Sequence, residues 1–114
     1  MELDEYQRLA EKYDSSEMPK EGEVGDAITE KILGITGEAG EVADKLKKIY
    51  WWKHKVISED DKEAISKELG DVLWYVAAVA RYLRVPLSEV AKNNLEKLQS
   101  RVDREKLFGD GDDR

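Results

Sequence analysis

Apolar positions along this chain recur with a helical period, and the two-residue alternation of a strand is absent. Tyr6, Leu9, Ala10 and Tyr13 fall at i, i+3, i+4 and i+7, which predicts a short first helix. Residues 14–25 carry Ser15, Ser16, Pro19, Gly22 and Gly25, which is loop chemistry, and Asp26 is the expected N-cap of a second helix. From there Ile28, Ile32, Ile35, Ala39, Val42, Leu46 and Ile49 step in alternating fours and threes. Residues 50–57 break that stripe, and Ser58 with Asp61 predicts a capped start for a third helix. Ile65, Leu69, Val72, Val76, Val79 and Leu83 form its stripe, while Leu73, Trp74, Ala77 and Ala80 extend the apolar surface most of the way round. Val85 ends it, because a residue before proline is pushed out of the helical region. Leu87, Ala91, Leu95, Leu98 and Val102 give the stripe of a fourth helix, and residues 105–114, rich in Gly and Asp, are expected to be irregular.

The pattern predicts an all-α, four-helix-bundle protomer with residues 1–114 as one domain. A helix apolar nearly all round needs cover on several sides. Three partner helices do not supply that, so self-association as a homodimer or a dimer-of-dimers tetramer is expected. The chain has no cysteine and a single histidine, His54. Thiolate and histidine-cluster metal sites are thereby excluded, and Asp and Glu remain as metal ligands. A net charge of −7 argues against general nucleic-acid binding. The acidic Met1–Glu5 stretch lacks the apolar core of a signal peptide, and the longest apolar run, Val72–Ala80, is too short for a bilayer. The expectation is a cytoplasmic protein with no membrane partner.

Two segments thirty residues apart match: Ile35-Thr36-Gly37-Glu38-Ala39-Gly40-Glu41-Val42 and Ile65-Ser66-Lys67-Glu68-Leu69-Gly70-Asp71-Val72. At about 100° per residue, Glu38 and Glu41 lie roughly 40° and 100° to one side of Val42, and Glu68 and Asp71 lie likewise beside Val72. All four acids therefore flank the same edge of their stripes. Such a cluster repels itself unless protons or cations enter, and an all-oxygen set suits a hard divalent ion, Mg²⁺ or Mn²⁺. The competing reading is a solvated acidic face, common in a chain with 26 Asp and Glu. Gly40 and Gly70 each cost about 1 kcal/mol in a helix against alanine, so a close approach of the two helices is expected there.

On the fourth helix Asn94, Lys97 and Arg101 flank Leu98 as the acids flank theirs. Cations facing a metal cage are a means of holding phosphate. Lys45 and Tyr75, each four residues beyond an inner acid, lie on the same two edges. Lys45 suits either a phosphate contact or an ordinary salt bridge. Trp51 and Trp52, in the basic run Tyr50-Trp51-Trp52-Lys53-His54-Lys55, suit either stacking on a base or burial at a core or subunit contact.

These motifs resemble those of the MazG-like nucleotide pyrophosphohydrolases of the all-α NTP pyrophosphatase superfamily. Tyr6–Ala10 resembles that family's opening helix, Leu33–Val42 its first acidic motif, Glu68–Val72 its second and Asn94–Arg101 its closing helix. Gly37 stands where the family's leading glutamate would be, leaving four acids in place of five. The resemblance implies a Mg²⁺-dependent enzyme that converts a nucleoside triphosphate and water to the monophosphate and pyrophosphate, in nucleotide-pool clean-up. It implies that Glu38, Glu41, Glu68 and Asp71 hold metal and that one of the glutamates, Glu38 or Glu41, handles the attacking water. Asn94, Lys97 and Arg101 would bind phosphate. The alternatives are a narrower dUTP/dCTP-type or phosphoribosyl-ATP hydrolase, and a non-catalytic acidic helical module that binds a basic protein.

Overall fold

The computed structural model describes all 114 residues, which form four α-helices and no strand. Helix α1 spans Leu3–Ala10 and tightens into a 3-10 turn over Glu11–Tyr13. Helix α2 spans Asp26–Trp52, α3 Glu59–Tyr82 and α4 Leu87–Asp103. No helix is long and apolar enough to cross a membrane.

Local chemistry sets the helix ends. At the start of α3 the Ser58 hydroxyl accepts from the Asp61 N–H at 3.2 Å, and the Asp61 carboxylate accepts from the Ser58 N–H at 3.0 Å. This capping box satisfies two donors that a helix start leaves free. Helix α2 starts one residue earlier than its expected cap implies: extended Gly25 is the cap, and Asp26 lies in the first turn, where its charge still meets the positive end of the dipole. At its other end α2 continues through Trp52, so both tryptophans ride on its last turn and not in the connection. The N–H groups of Lys53 and Lys55 both reach the Ile49 carbonyl, and His54 and Lys55 turn the chain with left-handed φ of 51° and 64°.

The short connection makes α2 and α3 an antiparallel hairpin, the main packing contact of the chain. Helices α1 and α4 close over the last turns of α3. Ala77, Ala80 and Leu87 form a small core there with Tyr6 and Val76 against it. Gln7 seals the corner, donating to the carbonyls of Ala77 and Val85 and accepting from the Leu87 N–H. The long α1–α2 connection is fastened by Asp14. Its carboxylate accepts from Arg81 and Tyr82 at 2.5 Å each and from the Ser16 N–H at 3.0 Å, with Lys31 Nζ 3.2 Å away. Lys31 is only 2% exposed.

One chain covers its apolar stripes incompletely. Ile32, Leu46, Leu69, Leu95 and Val102 keep between 41% (Leu46) and 67% (Leu95) of their surface exposed. The radius of gyration, 16.9 Å, exceeds the roughly 13 Å of a compact domain of this length. Two long helices lying side by side cover only one flank of each other, which leaves the far side of an all-round apolar helix bare.

The close approach of α2 and α3 falls at Gly34, not at Gly40 or Gly70. A Cβ on Gly34 would enter the Tyr75 ring, whereas at Gly40 and Gly70 it would meet open space. The three glycines should therefore respond with opposite signs. Gly34→Ala forces the tyrosine aside, an overpacking cost of about 1–3 kcal/mol that outweighs the gain in helix propensity. Gly40→Ala should stabilise the isolated protomer by about 1 kcal/mol. Urea unfolding of the two variants measures this, and a Gly34→Ala protein more stable than the parent would contradict the observed packing.

Candidate active site

The hairpin turns the acidic edges of α2 and α3 toward each other. Carboxylate oxygens of Glu38, Glu68 and Asp71 all lie within 4.8 Å of one another. Glu38 and Glu68 are half-buried and Asp71 is exposed. Glu41 stands outside this trio on the exposed flank, although Glu38 still feels its charge. Glu38 takes up a proton more readily than an ordinary glutamate. Loss of hydration is the main cause, followed by the charges of Asp71, Glu68 and Glu41.

Two further groups act on the trio. Lys45 Nζ lies 3.1 Å from the Glu68 carboxylate, an ion pair between the two helices. From α1, Tyr6 lies close enough to Asp71 that its hydroxyl is harder to ionise than usual, through burial first and then through that charge. Sequence periodicity gives Tyr6 only a place in an apolar stripe, because a contact between α1 and mid-α3 leaves no local pattern.

Beyond Lys45 the seam between the helices opens into a cleft of about 310 Å³ lined by Lys45, Lys48, Trp52, Lys53, Asp61 and Ile65. Trp52 is 73% exposed beside it, and Trp51 stands edge-on to Tyr50, with ring centres 5.1 Å apart. Lys53 pairs with Asp61 at 2.5 Å, and Lys48 pairs with Asp44 at 2.5 Å. The Lys53 bond, with further bonds from Ser58, holds the Asp61 carboxyl down at about 2. Lys53 belongs to the basic run already noted in the sequence; Lys48 was missed there, although it lies one helical turn beyond Lys45 and is findable by that spacing.

The remaining candidate residues lie elsewhere. Tyr75 packs over Gly34, its ring edge-on to Trp74 with centres 5.0 Å apart. Helix α4 rests on α1 and α3, and no hydrogen bond or ion pair links Asn94, Lys97 or Arg101 to the acids. Asn94 borders a shallow apolar cleft with Leu3, Leu73 and Val90. Lys97 and Arg101 both bind Asp112, from the segment that follows α4. Chemically, the structure holds a half-buried all-oxygen trio, a lysine bridging to it, and an adjoining cleft with basic and aromatic walls.

The MazG nucleotide pyrophosphohydrolase domain model matches residues 27–104. The chain is 43% identical over 116 residues to the Gene 37 protein of Mycobacterium phage L5, covering the full length of both. It is also 34% identical over 67 residues to the uncharacterised protein YpjD of Bacillus subtilis (strain 168), covering 59% of this chain and 60% of that one. No solved structure matches it.

Proposed function

Because the chain belongs to the MazG nucleotide pyrophosphohydrolase family, we propose that it hydrolyses nucleoside triphosphates between the α and β phosphates, releasing monophosphate and pyrophosphate. The observation that carries this reading is the convergence of Glu38, Glu68 and Asp71 within 4.8 Å. Three carboxylates that close, with Lys45 reaching only one of them, fit a divalent cation on chemical grounds: the donors are all oxygen, and like charges need neutralising. Glu38, Glu41, Glu68 and Asp71 would hold Mg²⁺ or Mn²⁺. Such an ion lowers the pKa of its bound water and offsets charge on the departing pyrophosphate.

The chain's own groups then divide the work. One of Glu38 and Glu41 orients the attacking water and accepts its proton. Lys45 lies between the acids and the basic cleft, where it can turn from Glu68 to a phosphate oxygen. Lys48 and Lys53 add positive charge along the cleft wall, and the exposed ring of Trp52 offers a face to the base. Tyr75 borders the same seam. Lys97, Arg101 and Asn94 contribute phosphate contacts from α4 once a second chain packs against the uncovered stripes. The bare apolar flanks of α2, α3 and α4 favour that homodimer, or a tetramer of two such dimers. Residues 1–114 would act as one unit, working on nucleotides of the cytoplasm.

A panel of ribo- and deoxyribonucleoside triphosphates together with phosphoribosyl-ATP, with and without Mg²⁺, tests the reading by pyrophosphate release. The expected result is turnover that needs the metal and yields equimolar monophosphate and pyrophosphate. Phosphate in place of pyrophosphate, or no metal-dependent turnover of any nucleotide, would refute it. Turnover confined to dUTP, dCTP or phosphoribosyl-ATP would narrow the substrate without changing the chemistry.

A further inference from the structure

Residues 105–114 lie beyond the matched domain and contain no helix, yet they are tied to α4. Gly109 and Gly111 adopt φ of 137° and 84°, conformations that favour glycine, and these fold the segment back along the helix. The fold-back delivers Asp112 to Lys97 and Arg101. One carboxylate oxygen, Oδ1, sits 3.1 Å from Lys97 Nζ and 3.1 Å from Arg101 Nη2. The same guanidinium donates to the Asp112 carbonyl at 2.6 Å and to the Gly111 carbonyl at 3.4 Å. Arg101 is thereby 5% exposed, and its Nε is buried without a partner.

An anionic oxygen shared between a lysine and an arginine is the arrangement a phosphate oxygen would make there. We propose that the segment 105–114 is a built-in substrate mimic: Asp112 occupies the Lys97–Arg101 cation pair, and an incoming phosphate must displace it. This rests on the reading of Lys97 and Arg101 as phosphate contacts. Two features make the segment a gate and not a lock. The Asp112 side chain is 79% exposed, so solvent and salt screen its ion pairs. Asp112 also leaves Arg101 Nε unmet, whereas two oxygens of a phosphate can accept from Nε and Nη2 together. The short tether between the end of α4 at Asp103 and Asp112 gives a local concentration on the order of millimolar, enough to compete with a nucleotide and not to exclude it.

The probe is inorganic pyrophosphate without metal, titrated into the full-length protein and its Asp112→Asn variant. Binding is followed by calorimetry and by the Gly109 and Gly111 amide signals. Asp112→Asn is expected to tighten pyrophosphate several-fold and to lower the nucleotide KM by a similar factor with kcat unchanged. In the parent protein, pyrophosphate should move the Gly111 signal toward its position in the variant. Equal or weaker pyrophosphate binding by Asp112→Asn would overturn the gate. Lys97→Ala in the Asp112→Asn background separates the two ideas. If it weakens pyrophosphate while Asp112→Asn alone changes nothing, the gate fails and the phosphate contacts stand; if it has no effect, the phosphate role fails and the gate falls with it.

Discussion

Asp71→Asn should abolish hydrolysis while leaving the helices intact. The exchange is nearly isosteric and lies on the exposed side of the trio, so packing is undisturbed. It removes one of three converging negative charges, and with it an oxygen set that can offset a divalent ion. A metal supplies several kcal/mol of charge stabilisation in such reactions, so its loss costs on the order of 10²–10³-fold or more in kcat. Pyrophosphate release measures the effect on turnover, and paramagnetic resonance of added Mn²⁺ gives affinity independently of catalysis. Removing a like charge should leave the metal-free protein at least as resistant to heat as its parent. Turnover within tenfold of the parent, with Mn²⁺ still bound, would remove Asp71 from the centre.

Asp14→Ala should be the most damaging single change to stability, though Asp14 lies outside the acidic centre. Its carboxylate is the common partner of Lys31, Arg81 and Tyr82, and Lys31 is 2% exposed. Its removal leaves buried Lys31 with Glu30 alone, at 3.3 Å, and Arg81 with Glu11 alone, at 3.7 Å, as acidic partners, and breaking a buried pair in this way costs about 3–5 kcal/mol. Against a total stability of about 5–15 kcal/mol that is a large share, and the melting point should fall by about 10 °C or more. The pH dependence has a definite sign. Burial alone would raise the Asp14 pKa, but bonds from Tyr82, the Ser16 N–H and Lys31 outweigh it and hold the group below its ordinary 3.8. A depressed folded value stabilises above the ordinary pKa and loses that contribution as pH falls from there through the folded value. Asp14→Asn should accordingly lose less stability than the parent on acidification below about pH 4. Urea unfolding between pH 2.5 and 7 makes the comparison, and parallel curves would show that the ion pair contributes nothing to folding.

The helices were legible because each buries one face, and burial imposes a period that survives in a single sequence. The Ser58 box was legible for a related reason, since both its partners lie within four residues. Placing Glu38, Glu68 and Asp71 on matching edges needed only the angle per residue and the antiparallel hairpin. What the sequence concealed depends on contacts without a period. Asp14 meets Tyr82 sixty-eight positions away, and no local pattern announces that meeting. Glycine spacing suggested closeness at Gly40 and Gly70, but closeness depends on what the opposite helix presents, and only Gly34 faces a ring. The angles on α4 placed Lys97 and Arg101 on one edge, yet could not show that residue 112 of the same chain binds them.

The bond between Lys45 and Glu68 bears on how the protein endures scarcity. A carboxylate nest emptied by a chelator would ordinarily push its walls apart, but here an ammonium from the neighbouring helix stays to hold the seam. Stripping should therefore leave a folded, refillable vessel, and activity should return when magnesium is dialysed back in.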